Sequence, residues 1–138
     1  MSISNKIEYF LTEFNKIDDW QDKYRYIIQL GKNLQPYPEM YRVDKFKVKG
    51  CQSQVWLYAE KIADKVRFFA DSDAMIVKGL LALVLDIFSE QKAEDVAKSD
   101  LNFVNKLGLT ENLTQNRTRG LLAFLKQIKL YALVISSQ

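Results

Sequence analysis

Apolar side chains in the first third of the chain recur every three or four residues, which predicts two amphipathic helices. The first helix covers residues 5–17, where the apolar positions share one helical face. The second covers residues 18–34, where Asp18 or Asp19 can cap its start and Gly31 can end it. Both prolines of the chain follow this helix and indicate a loop.

The pattern changes to alternation in the middle third of the chain. Residues 45–51 alternate lysines with apolar residues, which predicts a half-buried strand with a basic outer face. Residues 54–62 and 66–72 predict two further strands, joined by a turn at residues 63–65. Together the three segments predict an antiparallel meander.

Helical spacing returns after the third predicted strand and continues through the rest of the chain. Asp71 or Asp73 can cap an apolar helix over residues 74–91. Residues 93–109 predict a pair of short helices, and residues 114–135 predict a final long helix. The predicted order of elements is therefore α-α-β-β-β-α-α-α.

These elements predict an α+β fold, in which a three-stranded antiparallel sheet packs against helices within a single domain over residues 1–138. The composition is that of an ordered globular chain, because hydrophobic residues make up 48% and charged residues 27%. The net charge of +3 is spread evenly along the chain and does not favour a nucleic-acid partner.

The sequence has no evident membrane span or secretory signal. Its longest apolar run, residues 79–85, is far shorter than the roughly 20 residues that a span needs. The first ten residues alternate polar and apolar side chains without a signal-peptide core. The only cysteine, Cys51, cannot form an internal disulfide, which agrees with a reducing compartment. We therefore expect a soluble cytoplasmic protein without a membrane partner.

The lack of histidine excludes much of the enzyme repertoire. The chain cannot build a Ser–His or Cys–His dyad or a His-ligated metal centre, and one thiol cannot hold a zinc or iron–sulfur site. A carboxylate-only Mg²⁺ or Ca²⁺ site stays open, although no EF-hand or P-loop spacing occurs. We predict no metal and no cofactor, so any chemistry rests on Cys51 or on carboxylates.

Cys51 lies between Gly50 and a Gln-Ser-Gln run, in the predicted connection between the first two strands. It is a small buried apolar residue, as most intracellular cysteines are, or half of an intermolecular disulfide, or a reactive thiol. A reactive thiol needs a nearby cation or helix N-terminus, because the free pKa is about 8.5 and only the thiolate attacks. The candidate cations are Lys47, Lys49 and the arginines that begin the final helix. If none of these lysines and arginines lies close to Cys51, their side chains are solvated and have no role at the thiol.

Three stretches of the chain resemble the signature sequences of the SufE family. They are KGCQSQVWL at residues 49–57, DSDAMIVKGLLALV at residues 71–84 and LTQNRTRGL at residues 113–121. Residues 24–34, YRYIIQLGKNL, are also similar to the second helix of that family. The resemblance covers nearly the whole chain, and its cysteine motif is the most specific part.

This resemblance implies a sulfur acceptor in iron–sulfur cluster assembly. In that family the cysteine that matches Cys51 takes a sulfane sulfur from the persulfide of a cysteine desulfurase, stimulates that enzyme, and passes the sulfur to a cluster scaffold. The implied partners are a SufS-type desulfurase and the SufBCD scaffold complex. Pyridoxal phosphate belongs to the desulfurase. The close paralogue CsdE, which serves the CsdA desulfurase, shares the same motifs, so the sequence does not separate the two.

A set of supporting residues is also predicted around Cys51, and the resemblance implies two of them, Arg117 and Asp73. The family pattern Leu-Thr-x-x-Arg-x-x-Gly matches Arg117, because Gly120 lies three residues further on, whereas Arg119 is not the match. The supporting residues are Arg117, Gly50, Gln52, Gln54 and Asp73. Gly50 is expected to hinge the loop, the glutamines to shape it through hydrogen bonds to the backbone, and Asp73 to lie at a helix start.

Two roles stay open for Arg117. It either favours the thiolate or persulfide anion of Cys51, or it holds the last helix by pairing with Asp71 or Asp73. Trp56 is expected in the core. The lysines of residues 45–49 are either a solvated strand face or a docking patch for the desulfurase. We also expect the loop to shelter Cys51 in an apolar cavity at rest and to swing it outward on docking.

Three other functions remain as alternatives. The first is a stand-alone thiol enzyme, such as a peroxidase or thioltransferase, which would normally need a second, resolving cysteine. The second is a cluster scaffold of the IscU kind, which would need three cysteine ligands where this chain has one. The third is an interaction module in which Cys51 is inert.

Overall fold

A computed structural model of the chain describes residues 1–138 and contains seven α-helices and one three-stranded antiparallel sheet, which confirms the α+β fold. The elements in chain order are α1 (Ile3–Asn15), α2 (Trp20–Gly31), β1 (Val55–Ile62), β2 (Lys65–Ser72), α3 (Met75–Phe88), β3 (Gln91–Lys92), α4 (Ala93–Ala97), α5 (Phe103–Lys106), α6 (Leu109–Asn112) and α7 (Gln115–Ser136). No helix is both long enough and apolar enough to cross a membrane.

The first two helices form where the apolar spacing predicts them. The Ser2 side chain caps α1 by accepting a hydrogen bond from the Asn5 amide at 3.1 Å. Asp19 caps α2 in the same way, with the Asp22 amide at 2.8 Å. Helix α2 ends at Gly31, as the sequence indicates.

The prediction that residues 45–51 form the first strand is wrong. This segment contains a 3₁₀ turn, Asp44–Phe46, and touches the sheet through a single bridge between Lys47 and Trp56. The third strand is instead the two-residue β3, which follows α3 and pairs with the start of β2. Residues 45–49 alternate because they run along the edge of β1. Successive side chains of the segment therefore point toward the core and toward solvent in turn. The observed order is α-α-β-β-α-β-α-α-α-α.

The predicted capping of α3 by an aspartate is also wrong. Residue Ala74 occupies the cap position, and its amide donates to the Ser72 hydroxyl at 3.3 Å. Asp71 and Asp73 direct their carboxylates elsewhere, as described below. The helix ends at Phe88, earlier than predicted, because the chain turns at Glu90 to enter β3.

The segment between β3 and α7 forms three short helices rather than the predicted pair. A break after α4 is stabilised by the Asp100 carboxylate, which accepts from the Asn102 amide at 2.7 Å. Gly108 separates α5 from α6 with a φ of 78°, a left-handed conformation that favours glycine. One long periodic pattern in the sequence therefore divides into pieces at turns that its apolar spacing does not reveal.

Helix α3 lies at the centre of the core, between α2, the sheet and α7. Its close approach to α2 depends on Gly79, since a Cβ atom there would lie 2.1 Å from the Ile27 carbonyl oxygen. Gly31 meets the Gly79 backbone in the same way, because a Cβ atom at Gly31 would lie 2.9 Å from the Gly79 nitrogen. This contact fixes the position of α3, whose first turns form one wall of the candidate site.

Candidate functional site

Cys51 lies in the loop that leads into β1, directly against α7. Its thiol donates a hydrogen bond to the Gly120 carbonyl oxygen, with the sulfur 3.5 Å from that oxygen. The preceding residue, Gly50, has a φ of 91°, and a Cβ atom there would lie 3.4 Å from Ala123. The positive φ turns the loop back toward the helix, so Cys51 is half-buried rather than exposed.

The Cys51 side chain faces a small, mainly apolar cavity of about 30 Å³ between the loop, α3 and α7. This volume holds only one or two water-sized groups. The lining residues are Cys51, Gln52, Ser53, Val55, Val77, Leu80, Leu81, Arg117, Gly120, Leu121 and Phe124. The cavity is therefore large enough for a small addition to the sulfur and too small for a typical organic ligand.

Gly120 provides the surface on which the Cys51 sulfur rests, a role that the sequence does not reveal. A Cβ atom at Gly120 would lie 3.4 Å from the Cys51 sulfur and 3.7 Å from its Cα and Cβ atoms. A methyl group would just fit, but any branched side chain would displace the thiol. The glycine of the Arg-x-x-Gly pattern was the only signal for this contact.

Asp73 and Gln54 hold the far end of the loop and do not touch the thiol. The backbone N–H of Gln54 donates to the Asp73 carboxylate at 3.1 Å, and the backbone N–H of Asp73 donates to the backbone carbonyl of Gln54 at 3.4 Å. These reciprocal bonds fasten the loop to the start of α3. The predicted hydrogen bonds from the side chains of Gln52 and Gln54 to the backbone do not form, because both residues are exposed to solvent.

Arg117 reaches the same cavity as Cys51 from the first turn of α7. It is exposed and forms no ion pair with Asp71 or Asp73, so the structure does not contain the pairing that was one of the two roles left open for it. The Asp71 carboxylate instead lies 2.9 Å from the Arg42 guanidinium and 3.5 Å from the Lys78 ammonium. The Arg117 guanidinium is therefore free to meet an anion at the mouth of the cavity.

Burial raises the pKa of the Cys51 thiol above its ordinary value, with no opposing contribution from a cation in this conformation. The resting thiol is therefore protonated at neutral pH, as its donation to the Gly120 carbonyl also requires. Arg117 does not lower the pKa of Cys51 here, contrary to one of the two roles considered for it. A change in its surroundings that exposed the sulfur to water would lower this pKa.

The raised pKa leads to a prediction about thiol reactivity. We expect iodoacetamide to alkylate Cys51 several-fold more slowly at neutral pH than it alkylates the same thiol in urea, because burial disfavours the thiolate. The rate should rise as the pH increases through the raised pKa. The measurement is a pH series of alkylation rates, and Cys51→Ser provides the blank because the chain has no second thiol. Equal rates in the folded and unfolded chains would contradict the sheltered thiol.

Arg42 is a structural residue that the sequence did not single out. Its guanidinium pairs with Glu39 and Asp71, both at 2.9 Å, and lies 4.9 Å from the centre of the Trp56 ring. Trp56 is buried, as expected. This network fastens residues 38–42 to the outer face of the sheet and supports the strand that follows the Cys51 loop.

The lysines of residues 45–49 are exposed beside the loop. Lys47 pairs with Asp44 at 3.2 Å and lies 5.7 Å from the Trp56 ring centre. Lys45 and Lys49 border a groove that also contacts Ala123 of α7. No three acidic or thiol side chains converge into a group that could hold a metal ion.

Comparison with known proteins identifies relatives of the chain. A family model described as SufE: Fe-S metabolism associated domain matches residues 8–132. An uncharacterised SufE-like protein of Rhizobium meliloti strain 1021 is 41% identical over 128 residues, which cover 89% of this chain and 91% of that protein. The cysteine desulfuration protein SufE of Wigglesworthia glossinidia brevipalpis is 37% identical over 122 residues, which cover 87% of this chain and 85% of that protein.

The fold is also similar to a solved structure. The solution structure of a hypothetical protein from Thermus thermophilus superposes with a TM-score of 0.82 at 21% identity, covering 96% of this chain and 97% of that one. At this identity the similarity supports the fold alone.

Proposed function

This chain belongs to the SufE family of iron–sulfur metabolism proteins, and from that premise we propose that Cys51 accepts sulfur from a cysteine desulfurase and passes it on for cluster assembly. The observation that carries the proposal is the placement of the only thiol of the chain at a small apolar cavity beside Arg117. The cavity has room for one added sulfur atom against a mainly apolar wall.

The transfer follows from thiol–disulfide chemistry. Cys51 first loses its proton, and the thiolate attacks the outer sulfur of the donor persulfide. The new S–S bond forms on Cys51 while the S–S bond of the donor breaks, and the donor cysteine leaves as a thiolate. No net oxidation or reduction occurs. The exchange needs one cysteine from each protein and no metal or cofactor in this chain, since pyridoxal phosphate acts within the desulfurase.

Movement of the loop is part of the proposed cycle. Burial raises the pKa of the resting thiol, so we propose that the donor draws Cys51 out of the cavity. Exposure to water removes the desolvation that favours the S–H form. Few contacts oppose this motion, because a 3.5 Å bond to Gly120 and the Asp73–Gln54 pair hold the loop. Gly50 supplies the flexible backbone. After transfer the persulfide returns to the cavity, where small thiols reach it less readily.

A cysteine desulfurase assay tests this function. The rate at which the enzyme forms alanine from cysteine should rise and saturate as the chain is added, because the acceptor removes the sulfur that blocks the next turnover. A rate that does not respond to the chain would count against the proposal. We assign the donor to the SufS type, the recipient to the SufBCD scaffold and the exchange to the cytoplasm. Stronger stimulation of a CsdA-type enzyme would indicate a CsdE-type role.

Arg117 is expected to stabilise the persulfide anion at the mouth of the cavity. Arg117→Ala should slow sulfur transfer at saturating donor by about ten- to a hundredfold, since a charge-assisted hydrogen bond contributes about 1.5–3 kcal/mol. Arg119→Ala is the matched control, because Arg119 lies two residues away and does not line the cavity. Single-turnover transfer rates provide the measurement. Equal rates for the two variants would remove Arg117 from the proposed chemistry.

A further inference from the structure

The outer face of α7 exposes an unusual number of large apolar side chains. Leu122, Leu130, Leu133 and Val134 are 38%, 52%, 57% and 51% exposed, although the inner face of the same helix is buried in the core. Their spacing places them on one side of the helix, with Lys126 among them. We call Leu122, Lys126, Leu130, Leu133 and Val134 the α7 stripe, which extends for about 18 Å.

All charged side chains of α7 are positive. Helix α7 contains Arg117, Arg119, Lys126 and Lys129 and no acidic residue. None of the four forms an ion pair, although nine ion pairs occur elsewhere in the chain. The α7 stripe is therefore an apolar seam whose single charge, Lys126, has no acidic partner, on a helix with three further unpaired cations. Such a surface is complementary to apolar side chains flanked by Asp or Glu.

The α7 stripe adjoins the Cys51 loop, which lies against Gly120 and Ala123 of the same helix. A stable protein interface buries about 800 Å² on each partner and involves about 20–30 residues per side. The loop at residues 49–54 is too small to supply that area alone. A protein that reaches Cys51 must therefore cover neighbouring surface, and the outer face of α7 continues directly from the loop.

We propose that the α7 stripe forms part of the docking surface for the sulfur donor, which meets it with apolar side chains flanked by carboxylates. This inference rests on the proposed function, because it takes the cysteine desulfurase as the partner. A second copy of the chain fits less well, since its own α7 would present cations and no carboxylate to the α7 stripe. A membrane also fits less well, because only four apolar side chains are available and the rest of the helix is packed in the core.

Charge and polarity changes on the α7 stripe test the proposal. The probe is purified cysteine desulfurase, and its Kd is measured by isothermal titration with Cys51→Ser as the background, so that binding is separated from transfer. Leu130→Glu combined with Leu133→Glu should raise the Kd by about tenfold or more, as expected for loss of interface anchors. Lys126→Glu should raise the Kd and reduce its dependence on salt.

The matched controls are Lys61→Glu and Ile62→Glu. Ile62 is 38% exposed, like Leu122. It lies at the end of β1 that is far from the Cys51 loop, about 23 Å from Val55, where the strand begins. Both controls should leave the Kd within about twofold of the parent value, which is the expectation for a residue outside an interface. Thermal melting curves verify that each variant is folded. Because the substituted positions are exposed, each variant should have the melting temperature of the parent.

The outcomes separate this inference from the proposed function. If wild-type chain accepts sulfur and the double leucine variant keeps the parent Kd, the proposed function stands and the α7 stripe is not a donor surface. If wild-type chain neither binds the desulfurase nor accepts sulfur, both proposals fail. An unchanged Kd accompanied by lost dimerisation, or by lost binding to phosphatidylglycerol vesicles, would assign the stripe to a second copy or a lipid surface and overturn the inference.

Discussion

Substitution of Cys51 by serine will abolish sulfur acceptance from the desulfurase, with a loss of more than about a hundredfold, because a neutral hydroxyl cannot replace a thiolate nucleophile. No second cysteine can take over the reaction, since the chain contains only one. Serine is nearly isosteric with cysteine and can donate to the Gly120 carbonyl as the thiol does. The substitution therefore removes the chemistry and leaves the loop in place.

Sulfur transfer from radiolabelled cysteine measures this loss, and two further readouts serve as controls. The melting temperature of Cys51→Ser should match that of the wild type, and its affinity for the desulfurase should change by less than about twofold, because a single weak hydrogen bond is altered. Stimulation of alanine formation should disappear with the transfer. A serine variant that still carries labelled sulfur would contradict the assignment of Cys51 as the acceptor.

The largest expected effect on stability comes from Gly79→Ala. Exchanging glycine for alanine inside a helix usually stabilises it by about 0.5–1 kcal/mol, but here the new methyl group would lie 2.1 Å from the Ile27 carbonyl oxygen and 2.6 Å from its carbon. Backbone atoms of α2 cannot move independently, so the two helices must separate. We expect the free energy of unfolding to fall by about 3 kcal/mol or more, which is at the upper end of the range for overpacking substitutions.

Gly120→Ala is the matched control for this prediction, because Gly120 is also a buried glycine within a helix. The atoms nearest to a Cβ at this position would lie 3.4–3.7 Å away, which is ordinary van der Waals contact. Its stability should therefore stay within about 1 kcal/mol of the wild type. Urea unfolding of the three proteins provides the comparison. A Gly79→Ala protein that unfolds at the wild-type midpoint would show that α2 and α3 do not touch as described.

The long elements of the fold could be predicted from the sequence because each buries one face against the core. This holds for α1, α2, the β1–β2 hairpin and α7. The third strand could not be predicted, since two residues carry no periodicity, whereas the alternation at residues 45–51 predicts a strand that does not form. That segment alternates because it lies along β1, yet only Val48 makes a backbone bond to the strand, at 2.8 Å from its amide nitrogen to the Val55 oxygen.

The candidate site was predictable in part. The sequence motifs predict Cys51 and Arg117 as site residues, and the structure brings both to one cavity. The contact between Cys51 and Gly120 was not predicted, because it depends on how closely the loop approaches α7. For the same reason the upward shift of the Cys51 pKa could not be inferred from the sequence. Burial of the sulfur causes this shift, and the charged residues near Cys51 in the sequence carry no information about that burial. Arg42 was missed because its partners come together only in the folded chain.

Intact-protein mass spectrometry tests the central claim most directly. The chain is incubated with a cysteine desulfurase, pyridoxal phosphate and cysteine, and its mass is compared with that of Cys51→Ser treated in parallel. The account predicts that wild-type chain gains the mass of one or more sulfur atoms, that a reductant removes the gain, and that fragmentation places it on Cys51. An unchanged wild-type mass with an active desulfurase, or an equal gain on the serine variant, would contradict it.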